Sequence, residues 1–568
     1  MWITAPPNCR AMQSSTGRAP PTIDVLPSEL LMQVLQHLTV PTRLVCAQVC
    51  RRWADVVRAP VLWERLPVTA TALDDYSTAA RLMTLATAAK ELDLGTVFEP
   101  PSAIAIDRAA TLLLRCGELR TLRLLDMGQY TGGPNLLTVA GRSCLQLREL
   151  SLAECPGIFN PEALASLSDG CPRLEKLELL TDGEEIFGGD VAQCAAPFCR
   201  LLGRIQVLHV RADMLATSAG PVAAAIATGW CRFTRLREVT LDPPASPSPA
   251  RATRVLLDII SGQGDQLQRL TVHSQVVTDA IAGQIAARVG LKGANLRHLH
   301  LDAGDKLTVW GLRQLLKCWP GLQSLSLVHC LSLGAEGFRL ACQELPDLTR
   351  LRYQIAASPD APAGSADVFR GTRLPPSLRV LQLYVTPTDE ACGIRVGEPA
   401  FATALGGCRG LTHVTISWPA CDDSLVACLL LTLPQLQCLH LLDCRLVTGK
   451  AWETLPPAGI RPADHASAAM LELTLANCPS LDDGSLSRLC TCSVATSLNW
   501  LWLDGTAVTP DCLTLLAREC PSLLEVYIRW TELPTSNIEM WHHAAAVVNK
   551  NRDIHLRIDL PELANMGR

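Results

Sequence analysis

The chain is 568 residues long, 48% hydrophobic and 18% charged, which supplies enough apolar material for a large core and excludes wholesale disorder. Fifty lysines and arginines stand against fifty-five acidic residues, a net charge of −5 that lacks the cationic footprint of a non-specific nucleic-acid binder. Twenty-four cysteines are spread over the whole length and no Asn-x-Ser/Thr site occurs, so reduced thiols in the cytosol or nucleus are expected instead of a secreted disulfide scaffold.

At the amino terminus, residues 1–22 show no early cation followed by an apolar run, so they read as a disordered tail and not as a secretory signal. Residues 23–66 then carry apolar side chains at helical spacing. Leu26, Leu30, Leu31, Val34, Leu35 and Leu38 form one stripe, started by Pro27. Leu44, Val45, Val49, Trp53, Val56 and Val57 form a second, with Pro41 between the helices and Pro60 after them. About forty-five residues are too few for a self-sufficient core, so an apolar face should meet the next domain or another chain.

The segments Leu26-Pro27-Ser28-Glu29-Leu30, Val49-Cys50-Arg51-Arg52-Trp53 and Pro60-Val61-Leu62-Trp63 resemble the F-box in order and spacing. Thr42-Arg43 stands where that family often has an acidic residue before its leucine. The resemblance implies docking on a Skp-type adaptor and through it on a cullin. Leu26, Pro27, Leu30, Leu31, Val34, Leu44, Val49 and Trp53 are the implied contributors, some of them shared with the internal core. Residues 67–90 read as a helical connector.

From Leu119 onward the spacing apolar-x-x-apolar-x-apolar recurs in fifteen phases, from Leu119-Leu122-Leu124 to Leu523-Val526-Ile528, at intervals of 25 to 34 residues. In each phase the last two apolar residues alternate with polar ones, as in a short strand with one buried face. Helix starts follow at Asn160-Pro161-Glu162, Asp483 and Thr509-Pro510-Asp511. The nineteen uncharged residues Ser424 to Leu442 fit this phase as a buried helix and a strand better than they fit a membrane span. One such unit cannot bury its apolar side, so neighbours must stack.

Cys171-Pro172-Arg173-Leu174, Cys520-Pro521-Ser522-Leu523, Cys144 and Cys408 before strands, and Cys155, Cys330, Cys444 and Cys478 after them, resemble the cysteine-containing leucine-rich repeat. The expected fold is therefore α/β: a leucine-rich-repeat solenoid, or horseshoe, over residues 91–538, behind a small all-α F-box module, with 539–568 as a carboxy-terminal cap or tail. Proline-rich stretches Pro243 to Pro249, Ala356 to Pro376 and Leu455 to Ala468 fall between phases and read as surface loops.

Strand parity places one residue per unit on the concave face, from Arg123 to Tyr527, and these are polar until Trp502 and Tyr527. With Trp500 and Trp530 on the same two units, these four aromatics form the candidate substrate site. His209, His300 and His440 lie too many repeats apart to share a metal, and no metal site or cofactor is expected. The pairs His298/His300 and Arg350/Arg352 are candidates for an acidic or phosphorylated segment. Nucleophile-elbow, phosphate-loop, His-Glu-x-x-His and paired Cys-x2-Cys motifs are absent, so catalysis within the chain is not expected.

The function that follows is substrate recognition for a Skp-cullin-F-box ubiquitin ligase, with an unknown protein as target and no membrane or nucleic acid. Plant auxin and jasmonate receptors have a similar length and module order, which makes a receptor gated by a small ligand one alternative. A repeat scaffold without ubiquitin transfer is the other.

Overall fold

The computed structural model describes residues 26–95, 101–127, 135–180, 186–188, 191–211, 235–242, 256–257, 260, 266–273, 276–289, 295–304, 306–356, 369–386, 398–457, 470–528 and 555–557. The tail 1–22, the loop Pro243 to Pro249, residues 357–368 and 458–469 of the other two proline-rich loops, and Trp530 lie outside them. Two units are described in turn, Met1–Leu174 and Glu175–Arg568.

The first unit opens with three short helices, α1 Ser28–Gln36, α2 Val40–Cys46 and α3 Arg51–Val57, closed by a helical turn at Pro60–Trp63. Pro27, at φ −53°, pre-forms the start of α1, and Pro41 sits in the first turn of α2, where a missing N–H costs nothing. Leu31 and Leu35 are fully buried with Leu44, Val57 and Trp63. The centre of this module is polar at one point. The buried Arg43 guanidinium donates to the carbonyls of Gln36 (2.7 Å), Leu38 (2.9 Å) and Leu62 (2.6 Å), which clamps the end of α1 and the closing turn onto α2. The residue that departs from the F-box pattern thus holds the module together.

Strands β1 Arg65–Thr69, β2 Glu91–Gly95, β3 Thr121–Leu125 and β4 Glu149–Ala153 follow in this unit, paired in parallel and in chain order. Repeats therefore begin at Arg65 and not at residue 91, and the expected connector includes most of β1 ahead of helices Ala70–Asp74 and Tyr76–Leu85. Trp63-x-x-Leu66-x-Val68 and Ala89-x-x-Leu92-x-Leu94 keep the repeat spacing with tryptophan or alanine in the leading place, and all six side chains are buried. Arg81 donates to the Leu44 carbonyl (3.2 Å) and Lys90 pairs with Glu64 (2.6 Å), tying the connector to the helical module.

The second unit holds β5 Lys176–Leu179, β6 Val207–Arg211, β7 Glu238–Asp242, β8 Arg269–Val272, β9 His298–Asp302, β10 Ser324–Val328 and β11 Arg350–Ala356. It continues with β12 Val380–Thr386, β13 His413–Ser417, β14 Cys438–Leu442, β15 Glu472–Ala476, β16 Trp500–Trp502, β17 Glu525–Tyr527 and β18 His555–Arg557. Each pairs in parallel with the next in sequence. Helices on one side of the sheet, such as Val309–Cys318, Asp423–Thr432 and Asp483–Thr491, bury leucines beneath it, so this is a repeat α/β solenoid of parallel strands. All fifteen sequence phases coincide with strands. The stretch Ser424 to Leu442 splits into a helix and β14, and no helix among the described residues is long and apolar enough to cross a membrane.

The expected tail 539–568 contains a further strand, β18, which extends the sheet beyond β17. Its leading position is Asp553, not an apolar residue, so the sequence period hides it.

Repeat-to-repeat joints are polar as well as apolar. Cys155, Cys330, Cys444 and Cys478 are buried after left-handed residues Glu154, His329, Asp443 and Asn477, and each thiol donates to a carbonyl of the preceding strand. Asp482, one residue earlier than expected, caps helix Asp483–Thr491, which leaves Asp483 free to bond Thr509 of the next repeat. Asp279 with Thr308 and Asp423 with Thr448 repeat that link.

Candidate functional site

Two surfaces emerge, one in each unit. On the helical module, the predicted contact residues divide according to which side of their helix they occupy. Pro27, Leu30 (45% exposed), Val34 (48%) and Val49 (62%) face solvent, and Leu26 and Trp53 are half-buried. Leu31 and Leu44 are 0% and 4% exposed, packed inside the module, and are corrected to core positions because a surface partner cannot reach them. Val45, 61% exposed beside Leu44, belongs with the exposed set. Its place one residue from a buried leucine was the available signal, since in a two-faced helix the neighbour of a core residue points away from it. The Trp53 indole N–H meets no acceptor among the described residues, and Arg52 donates to the Leu26 carbonyl, fixing the chain before α1.

On the second unit, strand register aligns one residue per repeat on the sheet face away from the helices: Glu178, His209, Thr240, Thr271 and His300, then Ser326, Arg352, Gln382, Thr415, His440, Thr474, Trp502 and Tyr527. Trp502 and Tyr527 stack with ring centroids 4.6 Å apart and planes 5° from parallel, the outcome of a strand spacing near 4.8 Å. The Tyr527 hydroxyl donates to the Glu525 carboxylate, and half-buried Trp500 stands between Glu472 and Glu525 in register. These rings form a flat apolar platform with an acidic border. Sequence reasoning missed β18, whose backbone brings Arg557 into register with Tyr527.

The three predicted histidines each engage the adjacent strand. His209 meets Asp242 (2.6 Å), His300 Nδ1 meets the Ser326 hydroxyl (2.7 Å) and His440 Nδ1 meets the Thr474 hydroxyl (2.7 Å). Burial pushes His300 down to about 4, helped by His273 and Arg352, and lowers His440 in the same direction. Burial also raises the thiols, Cys116 to about 12 and Cys330 to about 11, so these cysteines behave as small apolar side chains and not as nucleophiles. No metal-binding group of histidines, cysteines and carboxylates occurs among the described residues.

Residues 23–67 match the F-box-like family model. A stretch of 167 residues, 27% of this chain and 43% of the relative, is 29% identical to F-box/LRR-repeat protein 8 of Bos taurus. Another of 43 residues, 7% of this chain and 15% of the relative, is 51% identical to F-box only protein 17 of Homo sapiens. The chain spans less than half the length of these curated relatives. The yeast Rad7 and Elc1 complex superposes with a TM-score of 0.38 at 14% identity, covering 91% of this chain and 97% of that one. The chain thus joins a module similar to the F-box, over residues 23–67, to parallel strand-and-helix repeats, the order of parts also named in F-box/LRR-repeat protein 8.

Proposed function

We propose that the chain is the substrate-recognition subunit of a Skp-cullin-F-box ubiquitin ligase. Its helical module docks a Skp-type adaptor and through it a cullin. The open strand face, with Trp500, Trp502 and Tyr527, holds a target protein for ubiquitination and proteasomal degradation. Acceleration comes from raising the target's effective concentration beside a conjugating enzyme, with no chemistry on this chain. The cytosol or nucleus is the proposed compartment, where its buried thiols stay reduced.

The observation that carries this reading is the set of exposed apolar side chains Leu30, Val34, Val45 and Val49 on a module whose interior is already filled by Leu31, Leu35, Leu44 and Trp63. Apolar residues that add nothing to the core and are grouped on an F-box-like module are what a partner helix surface requires. Affinity capture with the intact chain should retain a Skp-type adaptor. The double variant V34D/V49D should lose it by about 100-fold or more, while thermal unfolding stays within about 0.5 kcal/mol of wild type because both positions face solvent. A wild-type chain that ignores every such adaptor removes the ligase reading and leaves the repeat fold standing.

A further inference from the structure

We propose that the open face across β9, β10 and β11 is a docking notch for an extended acidic segment of the bound protein, one carrying anionic side chains, carboxylates or phosphates, at alternate positions. The inference rests on the reading that this face holds a target, and it names the part of the target taken there.

Register builds the notch from two rows, His298–Ser324–Arg350 and His300–Ser326–Arg352. In these two rows the middle strand offers serines, so its neighbours stand as walls over a low floor, and Val328 with Asp302 forms the next row. At a strand spacing of about 4.8 Å the histidine and arginine walls are about 9.6 Å apart, and the two rows lie about 6.6 Å apart. Alternate side chains of an extended peptide have that same spacing. The Ser326–His300 hydrogen bond holds one ring of the wall in place.

Charge complementarity chooses the occupant. Nearby carboxylates are engaged, Glu238 with Arg269 (3.5 Å) and Asp302 with His329 (3.1 Å). Arg350 and Arg352 are exposed and form no ion pair among the described residues, and Arg352 lies over the Tyr384 ring at 5.1 Å. Guanidinium groups bind carboxylate and phosphate in forked pairs, which suits two cations set two residues apart.

The imidazoles report the same field. Burial and then Arg269 and Arg350 lower His298 against a smaller opposing effect of Glu238. Burial, His273 and Arg352 lower His300 against Asp302. The His273 and His300 rings lie 4.7 Å apart. An anion in the notch acts against these effects and favours the protonated rings.

Fluorescence anisotropy on the full chain tests this with short labelled peptides. One carries two phosphoserines separated by one alanine, one carries two glutamates so spaced, one has the phosphoserines adjacent, and one has plain serines. The alternating phosphopeptide should bind at least about fivefold tighter than the adjacent one. R350Q/R352Q should weaken it about tenfold or more with an unchanged melting curve, while R445Q, at an exposed arginine just after β14, leaves it unaltered. Equal or tighter binding of the glutamate peptide assigns the notch to carboxylates. Indifference to spacing, no loss in R350Q/R352Q, or equally tight binding of oligothymidine with the same loss overturns the proposal. Adaptor capture through Val34 and Val49 reads a different surface, so either result can fail without the other.

Discussion

Replacing Arg43 with methionine should destabilise the helical module by about 2–4 kcal/mol. The guanidinium is buried and bonds three carbonyls, those of Gln36, Leu38 and Leu62. The Leu62 bond is fully buried, and an orphaned buried acceptor costs about 1–3 kcal/mol. The bonds to Gln36 and Leu38 are part-buried, so water replaces them at a cost of about 1 kcal/mol each. Against these losses stands the desolvation of the cation, whose pKa burial lowers and which methionine no longer has to bear. Native-state hydrogen exchange at the amides of Leu31, Leu35 and Leu44 is the appropriate measurement, because it reads this module separately from the repeats. Arg43→Lys, with one ammonium in place of a fork, should fall between wild type and Arg43→Met. Protection in Arg43→Met within about 1 kcal/mol of wild type would refute the clamp. It would then leave the departure from the F-box pattern without a structural role.

Trp502→Ala should weaken target binding by about 2 kcal/mol, or about 30-fold, measured with whichever protein co-purifies through the open face. Unchanged affinity would move the platform from binding surface to scaffold. His300, held near 4 against an ordinary 6.5, is neutral in the fold, so the unfolded chain takes up its proton first. Its contribution to stability is therefore complete above about pH 6.5 and is lost as pH falls toward about 4. Urea midpoints across that window should drop in wild type and drop less in His300→Gln, and parallel curves would contradict the assignment. Cys50 is exposed beside Val49, whereas Cys116, Cys155 and Cys330 are buried with raised pKa values. Of these four, a thiol reagent should modify Cys50 fast and the others only on unfolding, and bound adaptor should slow the Cys50 reaction.

The repeat was legible because burial enforces it: Leu122 and Leu124, and their fourteen counterparts, must all point inward for units to stack, so the spacing survives every insertion. Where the leading position departs from leucine, the period fades. Trp63 and Ala89 hide β1 and β2, and Asp553 hides β18. Strand parity also placed Trp502 opposite Tyr527, since side chains two apart share a face whatever their chemistry. The helical module was read less well for a converse reason. Its stripe mixes residues that fill the module with residues that face out, and Leu30 and Leu31 look alike in sequence while being 45% and 0% exposed. Arg43 is harder still, because its acceptors are backbone carbonyls, which leave no mark in the side-chain pattern.

The two kinds of strand position carry separate constraints, and that separation accounts for how one fold presents different chemistry along its length. Inward positions are fixed by volume and by the thiol-to-carbonyl joints, so Leu439 and Leu473 or Cys444 and Cys478 are near-copies from one repeat to the next. Outward positions touch mainly their counterparts on adjacent strands, so they change without disturbing the stack: His298 and Arg350 flank a serine, whereas Trp502 and Tyr527 stack. A substitution inward propagates to both neighbouring repeats, because each strand takes its hydrogen bonds from the one before and gives them to the one after. A substitution outward stays local. The proposed notch at β9–β11 and the proposed aromatic platform at β16–β17 are five strands apart, about 24 Å at the ordinary spacing. An extended target segment lying along the strands cannot fill both at once, so a target that uses both must cross the repeats or present two segments.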